Sequence, residues 1–352
     1  MKRHASSRAR AVAIFAIANA GHAAWAQPGP MVGWGYNLHG ETNCPPGDFI
    51  AMAAGHQHNI GIRADGTLIG WGRNESGQIN VPQGTFTAVA GSSWNSLGVR
   101  TDGTVVGWGS NEFGMLDVPP GLYQTVAFGE EFGIGLLRDG TLRGWGSNSI
   151  GQASVPLGTF RAIAAGFEHG LGLRTDGTVV RWGYPLGPDP AGMFIAIAAS
   201  TFANAAIRTD GSIVTWGSLS GGLVNPPAGT FTAITGGTAF FIARRTDGTL
   251  VGFKGDTFSI NVTPPPGTYS VIASGCMAAH ALAIVAPFGQ PCYANCDQST
   301  VLPALNVLDF GCFLNRYAAG DTYANCDGSS TPPAINALDF ACFLNRFAAG
   351  CS

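Results

Sequence analysis

The sequence predicts an all-β fold, a seven-bladed β-propeller closed by its own N-terminal strand, with a small module of different build after it. Three markers predict it. Trp-Gly recurs at Trp34, Trp71, Trp108, Trp145, Trp182 and Trp216, with Phe253 in the seventh place, at spacings of 37, 37, 37, 37, 34 and 37 residues. An Asp-Gly turn keeps step at Asp65, Asp102, Asp139, Asp176, Asp210 and Asp247. So does an aromatic that opens each unit: Phe49, Phe86, Tyr123, Phe160, Phe194, Phe231 and Tyr269. Three markers on one period define a repeat, placed at residues 31–285.

Within a unit the elements follow in order. The stretch from Phe86 to Gly121 has an apolar run, a turn, an alternating run ending in Arg100, the Asp102-Gly103 turn and a third run into Trp108-Gly109. Asp-Gly between alternating apolar segments is a strong hairpin signal. The first run is nearly continuous in apolar residues, as expected of the innermost strand of a blade. Small residues there, as in Ala162-Ile163-Ala164-Ala165, let inner strands crowd together, and the tryptophans fill the space between blades as core. The seventh unit stops at Val285 without a Trp-Gly strand, and Met31–Gly35 supplies the missing piece, so the ring closes without a free edge at the seam.

Composition limits the function classes. The 352 residues carry 52 glycines, only 11% charged residues and a net charge of −3, which suits short strands and gives no reason to expect nucleic acid or an anionic membrane as partner. Residues 1–26 read as a signal peptide. Lys2, Arg3, Arg8 and Arg10 precede an apolar stretch, and Ala24-Trp25-Ala26 is an A-x-A site, so cleavage is expected near Ala26. The mature chain is then secreted, periplasmic or at the cell surface, without a membrane span. Export makes disulfides the first reading of the eight cysteines.

The variable positions of the repeat lie in the turn between the first and second strands. His56, Gln57, Trp94, Glu130, Glu131, Phe167, Glu168 and Phe202 occupy it and share one end of the propeller. Aromatics beside acidic residues on a rigid ring suit a protein-recognition surface, and ordinary turn residues are the plainer reading. His58, His169 and His280 share one repeat position on separate blades and read as structural rather than metal-binding. No zincin helix, serine elbow or phosphate loop occurs, so no catalytic residue is assigned. A carboxylate pair among Glu130, Glu131 and Glu168 would be the route to an enzyme acting on polysaccharide.

The pattern W-G-x-N-x-x-G-Q followed by V-P-x-G-x-F and L-R-x-D-G-T-V, at residues 71–80 and 145–180, resembles the repeat of regulator of chromosome condensation (RCC1). It is similar also to the glycine-rich form in secreted bacterial propeller-type β-lactamase inhibitors. The resemblance implies the propeller, not one function.

After a linker at 286–291, residues 292–352 hold a second repeat. Residues 293–320 recur as 323–350 with 20 of 28 positions identical. Each copy is a polar loop followed by an apolar helix. Asn295, Asp297, Ser299, Asn306 and Asp309, and their copies Asn325, Asp327, Ser329, Asn336 and Asp339, place oxygens as a calcium loop does. Tandem loop-helix copies of this kind resemble the dockerin module, which implies calcium and a cohesin-type protein partner. The cysteines offer a competing explanation for the stability of so small a module. Repeat symmetry favours Cys296 with Cys312, Cys326 with Cys342 and Cys292 with Cys351, among 15 pairings of six. Cys44 and Cys276 remain, with a bond across the seam between units 1 and 7 as one option.

These features together predict a non-catalytic recognition or scaffold protein, binding a protein or polymer through the propeller and docking through the C-terminal module. A propeller enzyme on polysaccharide and a surface protein without a specific ligand are the alternatives.

Overall fold

The computed structural model describes residues 28–217, 225–254 and 263–286. The chain divides into two units, Met1–Ala286 and Pro287–Ser352. The expected signal peptide, the expected calcium-loop residues and the six cysteines from Cys292 to Cys351 lie outside the described residues.

The first unit contains seven three-stranded antiparallel sheets. Blade 1 is β2 (Phe49–Ala54), β3 (His58–Arg63) and β4 (Leu68–Gly72), and blade 2 is β5 (Phe86–Gly91), β6 (Asn95–Arg100) and β7 (Val105–Gly109). Blade 3 is β8 (Tyr123–Phe128), β9 (Phe132–Leu137) and β10 (Leu142–Gly146), and blade 4 is β11 (Phe160–Ala165), β12 (His169–Arg174) and β13 (Val179–Gly183). Blade 5 is β14 (Phe194–Ala199), β15 (Ala203–Arg208) and β16 (Ile213–Gly217), and blade 6 is β17 (Phe231–Gly237), β18 (Phe240–Arg245) and β19 (Leu250–Lys254). Blade 7 combines β20 (Tyr269–Ala273) and β21 (His280–Val285) with β1 (Met31–Gly35) from the other end of the repeat region, Trp34 facing Ala281. The closure expected from the orphan strand is present.

All seven inner strands slip register just after their opening aromatic, between Phe49 and Ala51, Phe86 and Ala88, and likewise to Tyr269 and Val271. A bulge bends the strand and breaks its alternation. Four inner strands, β2, β8, β14 and β17, end in a run of four or more buried residues. The shaft is lined by all seven inner strands, among them Ala54, Ala90, Ala127, Ala165, Ala199 and Ala273, around a cavity of ≈ 90 Å³.

The repeated residues build the frame. At each Asp-Gly turn the aspartate Oδ1 accepts from the backbone and hydroxyl of the residue two positions on, as at Asp102 and Thr104 (2.8 and 2.7 Å), which holds the exposed carboxyl below its ordinary range. Trp71, Trp108, Trp145 and Trp182 are buried, and their indole N–H groups reach the loop arriving from the preceding blade. Trp71 donates to Glu41 O (2.8 Å), Trp108 to Gln78 O (2.8 Å), Trp145 to Met115 O (2.7 Å) and Trp182 to Gln152 O (2.9 Å). At these four positions tryptophan fills space and ties neighbouring blades together, which satisfies its one donor.

Candidate recognition face

Each first-to-second-strand turn and the start of the loop after the third strand meet at one end of the propeller. Register requires it: His58 faces Gly72, and Arg73 N donates to Gln57 O at 2.8 Å. A Cβ at Gly72 would sit 2.6 Å from Gln57 O, so this crossing needs glycine. The same contact joins Ser110 to Trp94, Ser147 to Glu131 and Tyr184 to Glu168.

The eight predicted positions share this end, but each is half-buried rather than an open turn tip. Their backbones are bonded around the ring. His56 N donates to Ser92 O, Ser92 Oγ to Gly129 O, Glu130 N to Phe167 O and Phe167 N to Thr201 O. Thr201 Oγ1 then donates to Cys276 O at 3.0 Å. The turn of blade 7 (274–279) is three residues longer than that of blade 1 (55–57), and it folds Cys276 over the shaft to within 3.8 Å of Phe128 O. Burial pushes the Cys276 thiol up to about 12. Cys276 and Cys44 are both free, which removes the bond proposed across the seam. Their depths differ: Cys44 packs against the core around Phe49 and Trp71, whereas Cys276 lines the shaft.

Side chains divide the face into sectors. On blades 1 and 2 Arg73 lies over the Trp94 ring (4.3 Å), donates to Gln57 Oε1 (2.7 Å) and pairs with Glu75. The neighbouring His56 is held below its ordinary value by burial and then by Arg73. On blades 4 and 5 Phe202 packs between Phe167 (5.6 Å) and Tyr184 (5.9 Å). Between these lies a notch of ≈ 100 Å³ lined by Trp94, Asn95, Glu112, Phe113, Glu130 and Glu131 together with serines and Met115. Burial, then Glu131 and Glu168, raise the Glu130 carboxyl above its ordinary range. Among the described residues none of Glu112, Glu130, Glu131 and Glu168 forms an ion pair.

Sequence reasoning missed the second tier of this face. Tyr36, Leu38, Phe113, Ile150 and Tyr184 are large apolar residues left exposed on the loops after the third strands. Phe113 is 52% exposed and holds φ 62°, a left-handed conformation that a bulky residue adopts only under constraint. Their shared spacing from each Trp-Gly was the signal available: Tyr36 and Tyr184 follow it directly, and Phe113 and Ile150 stand five residues after their tryptophan.

The histidines are seam elements. His58 Nε2 bonds Ser96 Oγ (2.9 Å), His169 Nε2 bonds Asn204 Oδ1 (2.9 Å) and His280 Nε2 bonds Asn59 Oδ1 (2.6 Å), each linking one blade to the next. Ser96 donates its own proton to Gln78 O, and the amide oxygens can only accept, so all three rings are Nε2–H tautomers.

Residues 49–78, 86–114 and 124–152 match the regulator of chromosome condensation (RCC1) repeat. Three of the seven units match this repeat. The matched segments are the inner strand through to the following loop in blades 1, 2 and 3. Comparison with solved structures finds the same architecture. Human WBSCR16 superposes with a TM-score of 0.62 at 14% identity, covering 73% of this chain and 98% of that one. Prp20p from Saccharomyces cerevisiae, described with its binding to Gsp1p and histones, gives 0.60 at 14% identity, covering 73% and 91%. The ectodomain of the Arabidopsis thaliana receptor kinase ACR4 gives 0.54 at 20% identity, covering 64% and 87%. A sequence comparison with curated proteins finds no match. At these identities the likeness concerns fold.

Proposed function

We propose that this RCC1-repeat propeller is a non-catalytic recognition protein that binds a protein partner through the end carrying Trp94, Phe113 and Phe202. The observation that carries this reading is Phe113, a large aromatic kept exposed at a backbone conformation that disfavours it, beside half-buried Trp94 and three carboxylates, Glu112, Glu130 and Glu131, without ion pairs among the described residues. Folding alone gives no reason for that arrangement, whereas aromatic anchors inside a polar rim are what protein interfaces use. The yeast relative whose structure was described with its binding to Gsp1p and histones lends the same expectation to this fold. Likeness to propeller-type β-lactamase inhibitors also favours a protein over a polymer as ligand.

In this reading the chain is exported with cleavage near Ala26, and the segment 292–352 is a calcium-dependent dockerin-like module that attaches the propeller to a cohesin-type partner or the cell surface. The oxygen sets beginning at Asn295 and Asn325 support calcium. A melting temperature of that module unchanged by chelator would remove calcium from the account.

The test of the face is capture from the native envelope fraction by the full chain and by a W94A/F202A variant. We expect partners held by the wild type and released by the variant. Equal capture by a folded variant refutes the reading.

A further inference from the structure

The seams between blades follow one rule. The first residue of each middle strand meets the second residue of the next blade's middle strand. Polar residues meet polar at His58–Ser96, His169–Asn204 and His280–Asn59. By position, large apolar residues meet small ones in the pairs Phe132–Gly170, Ala203–Phe241 and Phe240–Ala281. Asn95 breaks the rule, because its counterpart position is Gly133, which has no side chain.

Asn95 is only 3% exposed. Its Nδ2 donates to Ser110 O (3.1 Å) and approaches Met115 Sδ (3.2 Å), but its Oδ1 has no donor. A buried amide oxygen without a partner carries a desolvation cost that a ligand donor would relieve. Asn95 lines the notch that also holds Glu112, Glu130 and Glu131 beside the rings of Trp94 and Phe113. Every feature there asks for the same chemistry: donors for an orphan acceptor, positive charge for unpaired carboxylates and a flat group for aromatic faces.

We propose that the notch between blades 2 and 3 receives the guanidinium of an arginine from a protein partner. This rests on the recognition reading above and names what the face recognises. Size excludes a drug-sized molecule, for which pockets run from about 300 Å³ upward. Among the described residues no three side chains form a metal-ligand set, which leaves an organic cation. Arginine fits better than lysine because its planar fork offers five donors and stacks on rings. The protein already uses that contact on itself, with Arg73 over Trp94 and with Arg63, Arg100, Arg174, Arg208 and Arg245 over the aromatics of their blades.

The probe is N-acetyl-arginine amide, titrated into the full chain at low salt and followed by the indole N–H of Trp94 and the side-chain amide of Asn95. Saturable shifts at both are expected. The uncharged isostere N-acetyl-citrulline amide and the lysine analogue should each bind at least about tenfold more weakly, because they lack the charge or the fork. E130Q/E131Q should weaken arginine binding by about the same factor while leaving the melting curve intact. Equal response to citrulline or lysine, or no response to arginine, overturns the proposal. Should the arginine probe fail while W94A/F202A still loses its captured partner, the arginine assignment falls and the recognition face stands.

Discussion

His280 on β21 and Asn59 on β3 share a hydrogen bond of 2.6 Å across the seam where the last blade meets the first. Asn59 passes the contact on, its Nδ2 donating to Glu41 O at 2.9 Å, the same carbonyl that accepts Trp71. Residues 221 positions apart are thereby locked at the place where a propeller is most easily opened. Two other seams repeat the device with His58 and His169.

This arrangement predicts acid sensitivity. Burial holds His58 at about 3 and His169 and His280 at about 4, below the ordinary 6.5. A base depressed in the folded state contributes stability that is present above pH 6.5 and lost as pH falls through the folded values. Each ring should remove roughly 3 kcal/mol by pH 4, so melting temperature should drop steeply between pH 6.5 and 4.5. H169F/N204A, which copies the Phe240–Ala281 pair at the seam between blades 6 and 7, should flatten that slope by about one third. An unchanged slope by calorimetry would refute the role of these rings.

A second prediction concerns Phe113. Glycine adopts φ 62° without strain, so F113G should raise stability by about 1 kcal/mol in urea. The same substitution should abolish partner capture. Stabilisation together with intact capture would show the exposed ring to be incidental.

A third prediction tests an exchange between blades. In five blades an arginine at the end of the second strand covers the opening aromatic and bonds a loop carbonyl, as Arg100 does over Phe86 (5.1 Å) and to Gln83 O (3.0 Å). Blades 3 and 7 carry Leu137 and Val285 there, and their aromatic is a tyrosine. Tyr123 Oη donates to Pro119 O at 2.6 Å and Tyr269 Oη to Pro265 O at 3.1 Å. Y123F should cost about 1 kcal/mol, and Y123F/L137R should recover most of it, measured by chemical denaturation.

The frame was legible because it is repeated. Trp-Gly, Asp-Gly and the opening aromatic each recur with one job, and the orphan strand Met31–Gly35 could be matched to a missing piece. The seven bulges were not legible, since the slip after each aromatic leaves no residue type of its own. Nor was the orphan Oδ1 of Asn95, which follows from Gly133 standing 38 positions away on another blade. Trp94, Glu130 and Phe202 could be singled out as candidates because the repeat marks their turn as variable. Phe113 and Tyr184 escaped because their loop reads as a structural connection, which in its asparagine core it is: Asn111 Oδ1 accepts from Leu116 N and Asn148 Oδ1 from Ala153 N.

The last prediction follows from what lies opposite each tryptophan. Trp145 faces Gly133 and Trp182 faces Gly170, and a Cβ at either glycine would lie 2.3 Å from the indole. Blade 6 inverts the pair, with Phe253 facing Phe241 and their rings stacked at 5.6 Å. Volume is conserved across the two strands rather than at either position. W145F should therefore leave a void over Gly133 and strip Met115 O of its donor, together costing about 3 kcal/mol. G133F alone should clash with the indole and destabilise by a similar amount or more. W145F/G133F rebuilds the blade 6 pair, so the double variant should be more stable than the sum of its parents by at least about 1 kcal/mol in a double-mutant cycle. Strict additivity would show that the two positions do not share one volume.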